Sequence, residues 1–367
     1  MKWLLSFAML LYFLGSLCAP AHAISVDEAL QRQEESLEID ELEDAANKAG
    51  SNVEYGVSLE EGLHDLLDQG TEAAGGIIRS ALKSGVLLMA VILLCGFGES
   101  VYGTVGQGKQ PVIPIVGALA VAAIAVADVD SMLGLGRSTI TSMTSFANVL
   151  LPTVAAVTAA TGAVTGAAVR QMAAVLFSDL LVNLISNLLI PLLYAYLAAA
   201  VAYAALGNEG LKRIGALMKW AATTLLTTVM LAFVGYLTLS GVIAGSADAM
   251  TIKATKFAIS GTIPVVGGIL SDAAETILAS AGVLRGTVGV FGTVTILGIC
   301  LLPVLRMAIH YLMYKLVAAL SATVGSGRVT GLIDQIGGAF GLMLGMTGAC
   351  CLLLLVALVS SVSVVST

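Results

Sequence analysis

Charged side chains are scarce in this sequence. Asp, Glu, Lys and Arg make up 11% of the 367 residues, whereas 58% of the residues are hydrophobic and the mean hydropathy is +0.97. Soluble domains carry about a quarter of charged residues. A soluble fold of this composition is excluded, because it would expose large apolar patches to water. The sequence therefore predicts a chain that is embedded in a membrane along most of its length.

Basic residues and cysteines are also few. The chain has 17 Lys and Arg against 24 Asp and Glu, and most of the acidic residues fall within 24–73. This balance argues against nucleic acid as a partner, because phosphates attract Lys and Arg. The acidic segment contains no cysteine, which excludes the disulfide framework of a small exported domain. Cys95, Cys300, Cys350 and Cys351 lie in apolar runs, and we expect them to be small buried hydrophobes.

Catalytic and cofactor-binding motifs are missing. The sequence has no H-E-x-x-H, G-x-S-x-G or C-x-x-C. The stretch GTVGQGKQ (103–110) fits the first part of a phosphate-binding loop, but Gln110 stands where the Ser or Thr that binds magnesium is needed. The sequence therefore predicts no enzyme activity, no cofactor and no metal site.

The N-terminus has the features of an export signal. Lys2 precedes an apolar run over 3–17, and Ala21-His22-Ala23 fits a cleavage site. We predict a cleaved signal peptide over 1–23; the alternative is an uncleaved first helix. Either way, the acidic segment 24–78 should be delivered across the membrane.

The acidic segment 24–78 is predicted to be helical. Ser58 and Glu61 have the spacing of a capping box at the start of its best helix. An apolar stripe follows, formed by Leu59, Leu63, Leu66 and Leu67.

Residues 79–367 are predicted to form an all-α, polytopic membrane domain with about seven or eight membrane segments. Residues 128–149 are amphipathic and should lie at the surface or within the protein. Apolar spans are predicted at 81–98, 111–127, 150–169, 219–245, 287–305, 306–320 and 336–365. The last two crossings cannot be oriented from the sequence.

The longest apolar run, 172–206, exceeds one upright span of a hydrocarbon core about 30 Å thick. We predict a hairpin at Pro191, with one span plus a re-entrant piece as a variant. The hairpin would place Lys212, Arg213 and Lys219 in the cytoplasm, as the positive-inside rule prefers.

Glycine recurs with a spacing of four, which lets helices approach closely in lipid. The contacts are predicted to join either helices of one subunit or different copies in a ring. These glycines are Gly162 and Gly166, Gly241 and Gly245, and Gly337, Gly341 and Gly345.

Polar residues within the apolar runs are the candidate functional residues. Asp179, Asn183 and Asn187 share one helix face, which is either the wall of a polar conduit or a set of inter-helix hydrogen bonds. Arg306 and His310 lie one turn apart. They are functional candidates, unless this segment lies at the interface, where Arg side chains extend to water.

The segment 246–286 is interrupted. Gly261 and Pro264 should end one helix, the pair Gly267-Gly268 allows close approach, and Asp272 with Glu275 should cap a new helix. We predict a re-entrant or interfacial element sheltered by protein; the alternative is a surface helix on the exported side. Its charges balance: Asp248, Asp272 and Glu275 against Lys253, Lys256 and Arg285.

Two long stretches, IKATKFAISGTIPVVGGILSDAAETILASAGVLRGTVGVFG (252–292) and PVLRMAIHYLMYKLVAAL (303–320), resemble the stage III sporulation protein AE family of endospore-forming Firmicutes. TSMTSFANVLLPTVAAVTAATGAVTGAA (141–168) and LISNLLIPLLYAYLAAAVAYAAL (184–206) agree with it. Lys256, Phe257, Pro264, Asp272 and Lys315 match the family's motifs, to which only structural roles can be assigned.

The resemblance implies a multi-pass protein of the mother-cell membrane around the forespore, with its N-terminal segment in the intermembrane space. It implies membership of the channel, or feeding-tube, complex, which keeps the forespore intact and supports late forespore gene expression. The implied partners are a separate ATPase, small membrane subunits and ring-forming proteins, with homo-oligomerisation. The alternatives are a self-contained small-solute permease, which predicts inverted repeats around a midplane site, and an intramembrane enzyme.

Overall fold

In the computed structural model, the described residues are 39–105, 112–160, 164–262, 267–323 and 327–362, and side chains are described in these ranges except at 102–105, 164–170, 237–262, 267–282 and 360. Regular secondary structure in this part of the chain is entirely helical. The helices are α1 (Ile39–Lys48), α2 (Leu59–Val105), α3 (Val112–Ala160), α4 (Val164–Leu184), a π-helical turn (Ile185–Leu189), α5 (Ile190–Leu206), α6 (Glu209–Thr262), α7 (Gly267–Ser321) and α8 (Gly327–Val362).

Six stretches of the described helices are long and apolar enough to cross a membrane. This confirms the predicted all-α membrane fold, although the number of seven to eight segments is not confirmed. The stretches are Leu59–Val101, Val112–Ala160, Gln171–Leu206, Glu209–Tyr236, Val283–Ser321 and Gly327–Val359.

Several predicted segments are parts of one helix. The span 111–127, the amphipathic stretch 128–149 and most of the span 150–169 fall within α3, whose 49 residues extend for about 74 Å. The predicted spans 287–305 and 306–320 both lie in α7, which continues through Pro303. Both helices are therefore more than twice as long as the hydrocarbon core is thick.

The hairpin predicted at Pro191 is wrong. The chain passes through the π-helical turn into α5, and the Ile190 N–H donates to the Ile185 carbonyl, five residues back. Proline has no N–H, and its ring clashes with the carbonyl four residues earlier. The wider turn absorbs this conflict, because it shifts the hydrogen bonds by one residue. The helix ends only at Gly207, where φ is +69° and the N–H donates to the Tyr203 carbonyl over 2.8 Å.

The capping box predicted at the start of α2 is confirmed. The Glu61 N–H donates to Ser58 Oγ over 3.2 Å, and the Ser58 N–H donates to Glu61 Oε2 over 3.3 Å. Of the predicted apolar stripe, Leu66 is buried, whereas Leu59, Leu63 and Leu67 are exposed. The helix continues without a break past residue 78 through the predicted span 81–98.

The long helices pack as a bundle in which α8 contacts α3 to α7. Contacts at glycines give the helix directions. Gly62 lies against Val294 and Gly85 against Met313, so α2 and α7 run parallel. The contacts between α3 and α8 also advance in the same direction along both helices, so these two helices are parallel. In contrast, the Tyr314 hydroxyl of α7 donates to Asp128 of α3, whereas Gly292, earlier in α7, meets Leu150, later in α3. Helices α3 and α7 are therefore antiparallel. The last two helices are therefore antiparallel to each other.

Part of the predicted glycine packing is seen within the chain. A Cβ at Gly337 would lie 3.1 Å from Tyr314, and one at Gly341 would lie 3.0 Å from Tyr311. At Gly345 the nearest side chain, Leu226, is 4.0 Å away. These contacts support packing between helices of one subunit at Gly337 and Gly341. Gly162 lies outside the described residues, and Gly166, Gly241 and Gly245 lie in α4 and α6 at positions whose surroundings are not described.

The segment 246–286, predicted to be interrupted, is described in part, within α6 and α7. The first ends at Thr262 and the second begins at Gly267, while Pro264 lies outside the described residues. Asp272 was expected to cap the second helix, but it lies five residues inside α7, because the helix already begins at the glycine pair. The predicted roles of Lys253, Lys256, Phe257 and Glu275 rest on side chains outside the described ones.

Candidate functional site

The three polar residues of α4 and the π-helical turn form a ladder on the outside of the bundle. Asp179, Asn183 and Asn187 are all exposed. The Asn183 Nδ2 donates to the Asp179 carbonyl over 3.0 Å, and the Asn187 Nδ2 donates to Asn183 Oδ1 over 3.3 Å. The amides therefore bond along their own helix instead of joining two helices of the chain. Within the described part of the chain, the Asp179 carboxylate has no hydrogen bond or ion pair.

Large apolar side chains surround this ladder. Leu176 and Leu180 are 62% and 50% exposed, and Met172 and Leu188 are also exposed. The neighbouring helix α6 continues the apolar surface with Leu231, Val234 and Tyr236. Phe177 and Phe233 join the two helices, with ring centroids 5.3 Å apart.

The ladder lies at the height of the acidic helix α1. Asp130 of α3 and Tyr194 of α5 line one hollow and so lie at one level. Ser145 lies 15 residues after Asp130 and Asp179 lies 15 residues before Tyr194, so in these antiparallel helices the two are also level. Ser145 lines a hollow together with Glu41 and Lys48 of α1. A charged helix and an apolar surface with a polar ladder thus share one level of the molecule.

Arg306 and His310 occupy different surroundings, although they lie one turn apart on α7. His310 is 2% exposed; its Nδ1 is 2.9 Å from the Arg306 carbonyl oxygen, and its ring meets Phe340 edge to face. The Arg306 side chain is exposed and lines a cavity of about 460 Å³ between the α1–α2 loop, α2, α3 and α7. The structure therefore separates the two side chains, with His310 in the core and Arg306 at a cavity.

Two polar contacts were not predicted from the sequence. The buried Tyr314 donates to Asp128 Oδ2 over 2.9 Å, and Lys315 Nζ lies 2.6 Å from Asp334 Oδ1. The sequence does show Asp128 as an acidic residue next to an apolar run, but its partner Tyr314 lies 186 positions away and could not be recognised from the sequence. Among the described residues, no group of three His, Cys, Asp or Glu side chains could hold a metal ion.

The predicted burial of Cys95, Cys300, Cys350 and Cys351 is confirmed. Cys300 of α7 and Cys351 of α8 have their sulfur atoms 3.0 Å apart. Arg285 is half-buried, and its Nε and Nη1 have no hydrogen-bond partner among the residues whose side chains are described.

The fold defines a class: in its described part it is an all-helical, multi-pass membrane protein, with an exposed ladder of polar side chains on α4 and the π-helical turn. The chain belongs to the stage III sporulation protein AE family, whose model matches residues 76–365. It is 27% identical over 143 residues to stage III sporulation protein AE of Bacillus subtilis (strain 168). That match covers 38% of this chain and 36% of the relative, so it spans little more than a third of the relative's length. No solved structure matches the chain.

Proposed function

We propose that this protein is a structural and conduit subunit of the membrane complex that joins mother cell and forespore, needed for forespore integrity and late forespore gene expression. Membership of the sporulation family supports this proposal. Its partners would be a separate ATPase, small membrane subunits and ring-forming proteins. The observation that carries the proposal is the exposed ladder of Asp179, Asn183 and Asn187.

The surface that carries the ladder needs a protein cover in either environment. In hydrocarbon, an exposed carboxylate and two amides would face lipid, which polar side chains in membranes avoid. In water, Met172, Leu176, Leu180 and Leu188 would form an exposed apolar patch. Because both environments leave part of this surface unsatisfied, we infer that it is an interface.

The partner that we assign to this interface is a second copy of the chain. Amides donate and accept, so Asn183 and Asn187 can pair with the same residues of a neighbour. Polar residues of this kind specify register and oligomeric state when they lie between parallel helices. The Asp179 carboxylate would then border the polar path between copies. The assembly would be a closed ring, since cyclic symmetry keeps every copy in the same membrane orientation.

The helix count supports an exported N-terminus. If the first described residues lie outside, the candidate spans in α2, in α3 and in α4–α5 bring Lys212, Arg213 and Lys219 to the cytoplasmic side, as the positive-inside rule prefers. No hairpin at Pro191 is needed, because α3 crosses once instead of twice. In the mother-cell membrane around the forespore, α1 would lie in the intermembrane space.

The first test is the native mass of the particle extracted in mild detergent. We expect a multiple of the chain mass, 37.3 kDa, or co-purification with the sporulation membrane proteins named above. A strictly monomeric protein that transports a solute alone in liposomes would instead favour the permease.

The second test is a photo-crosslinking amino acid at Asn183, with one at Leu94 as a control. Leu94 is 72% exposed on α2, away from the ladder. We expect a product of twice the chain mass from position 183 and not from position 94. Crosslinks from 183 to lipid alone would exclude the interface. In sporulating cells, Asp179→Ala should lower spore yield; an unchanged yield and particle mass would exclude the conduit wall.

A further inference from the structure

The cavity beside Arg306 combines one cation with an uncharged wall. It is formed by the α1–α2 loop at Ala49 and Gly50, by α2, by α3 and by α7. Among the described residues that line it, Arg306 is the only charged one, and none is Asp or Glu. In the described part of the chain, Arg306 also has no ion pair. An ionisable side chain in a membrane-spanning segment that lacks a partner is a functional candidate.

The wall opposite Arg306 is polar because α3 carries hydroxyl groups there. Ser138 and Thr139 both donate to the Leu135 carbonyl, over 2.9 and 2.8 Å, so their protons are used within the helix. Ser142 forms no such bond among the described residues and keeps its proton for a ligand. The guanidinium of Arg306 adds a fork of N–H groups, which suits the paired oxygens of a carboxylate or a phosphate. The free donors of the cavity thus favour an oxyanion.

The rest of the lining is apolar and gives room for more than an ion. Ile77, Leu135 and Leu302 line the cavity between the polar groups. Its volume of about 460 Å³ lies within the range of ligand sites, roughly 300–1,000 Å³. A second hollow of about 390 Å³ shares Ala49 and Ser142 with it and is also lined by Lys48 and Glu41 of α1. The cavity is therefore adjacent to the hollow that the acidic helix borders.

We propose that this cavity binds the oxyanion group of a small amphiphilic molecule, with Arg306 holding two of its oxygens, Ser142 donating to the same group, and Ile77 and Leu302 contacting its apolar body. The oxyanion is a phosphate or a carboxylate, and it can belong to a free solute or to a lipid headgroup. This site goes beyond the role as an assembly subunit. It is tested on the purified protein, so its failure leaves the assembly proposal standing.

The test is thermal unfolding of the full chain in a neutral detergent. One arm compares sodium phosphate with sodium chloride at equal ionic strength, and the other compares micelles containing phosphatidylglycerol with micelles containing phosphatidylcholine. A ligand that binds only the folded state raises the unfolding midpoint, here by about 2 °C or more at saturation. A shift in the phosphate arm assigns a free anion, and a shift in the lipid arm alone assigns a headgroup; both results support the site.

Variants assign the effect to the cavity. Arg306→Gln should weaken the apparent affinity for the effective probe by about 10- to 100-fold, because it removes a charge-assisted hydrogen-bond pair. Arg306→Lys should retain part of the effect as a point charge without the fork. Ser142→Ala should weaken the affinity by about 2- to 10-fold. The control is Arg137→Gln, which removes an exposed arginine of α3 that does not line the cavity.

Two results would overturn the proposal. The first is the absence of a shift in both arms with the unaltered chain. The second is an equal shift in Arg306→Gln and Arg137→Gln, which would mean that the anion acts elsewhere and that Arg306 only extends to water. Far-UV circular dichroism of every variant checks that its helical content is unchanged, and Arg306→Lys keeps the test decisive if Arg306→Gln does not fold.

Discussion

At the scale of single residues, glycines have two different roles in α2. A Cβ at Gly62 would lie 2.7 and 2.9 Å from the two methyl carbons of Val294, whereas one at Gly75 would meet nothing within 4 Å. Valine is held in one χ1 rotamer in a helix and cannot move aside easily. Gly62 is therefore needed for close packing against α7, and Gly75 is not.

This difference gives a prediction with an internal control. Gly62→Ala should destabilise the bundle by about 1–3 kcal/mol, the usual effect of overpacking. Gly75→Ala should be neutral or stabilise it by up to about 1 kcal/mol, because alanine is the better helix former. Unfolding midpoints of both variants in the same detergent check this. Equal destabilisation by both would contradict the packing that we describe at Gly62.

At the scale of secondary-structure elements, α1 has two side chains that are completely buried in the bundle. Leu42 and Ala46 are 0% exposed, whereas the rest of this short helix is largely charged. Ten residues do not form a stable helix alone in water. The order of α1 therefore comes from its contact with α3, and α1 in turn borders the hollow next to the Arg306 cavity.

We predict that Leu42→Ala releases α1 from the bundle. Truncation of a buried leucine to alanine costs about 2–5 kcal/mol of stability. We expect this cost to exceed the free energy that holds so short a helix on the bundle. The measurement is hydrogen exchange at residues 39–48, where protection should fall while α8 stays protected. Glu41→Ala serves as the control, because Glu41 is exposed. Unchanged exchange in Leu42→Ala would show that other contacts hold α1.

At the scale of the whole molecule, successive candidate spans cross the membrane in opposite directions. Once the side of the N-terminal end is assigned, the side of every connecting loop follows. If residue 52 is exported, residues 209 and 323 must both be cytoplasmic, because three and five of the candidate spans precede them. The interrupted region between α6 and α7 would then lie toward the exported side. This makes the topology a testable property of the bundle.

Cysteine labelling tests this topology, because the four described native cysteines are buried. Asn52→Cys, Glu209→Cys and Thr323→Cys introduce thiols at exposed positions. We expect a membrane-impermeant maleimide to label residue 52 in intact spheroplasts, and residues 209 and 323 only after permeabilisation. Labelling of residue 209 in intact spheroplasts would contradict the three crossings that we place before it.

The sequence by itself determined what depends on composition and on near neighbours. Scarce charge and long apolar runs gave the membrane class, and the spacing of Ser58 and Glu61 gave the start of α2. Such features depend on composition or on residues a few positions apart, so their physical causes can be recognised in the sequence.

Only the tertiary structure decided where helices end and which side chains meet. Pro191 has the chemistry of a helix breaker, but packing on both sides of it favours a π-helical turn that keeps the helix whole. Arg306 and His310 look equivalent one turn apart, yet the bundle buries one and gives the other a cavity. The ladder at Asp179 became an interface candidate only because the structure shows that this face of α4 is exposed on the surface of the bundle. The burial of a side chain is set by residues far away in the chain, and the local sequence pattern does not specify those contacts.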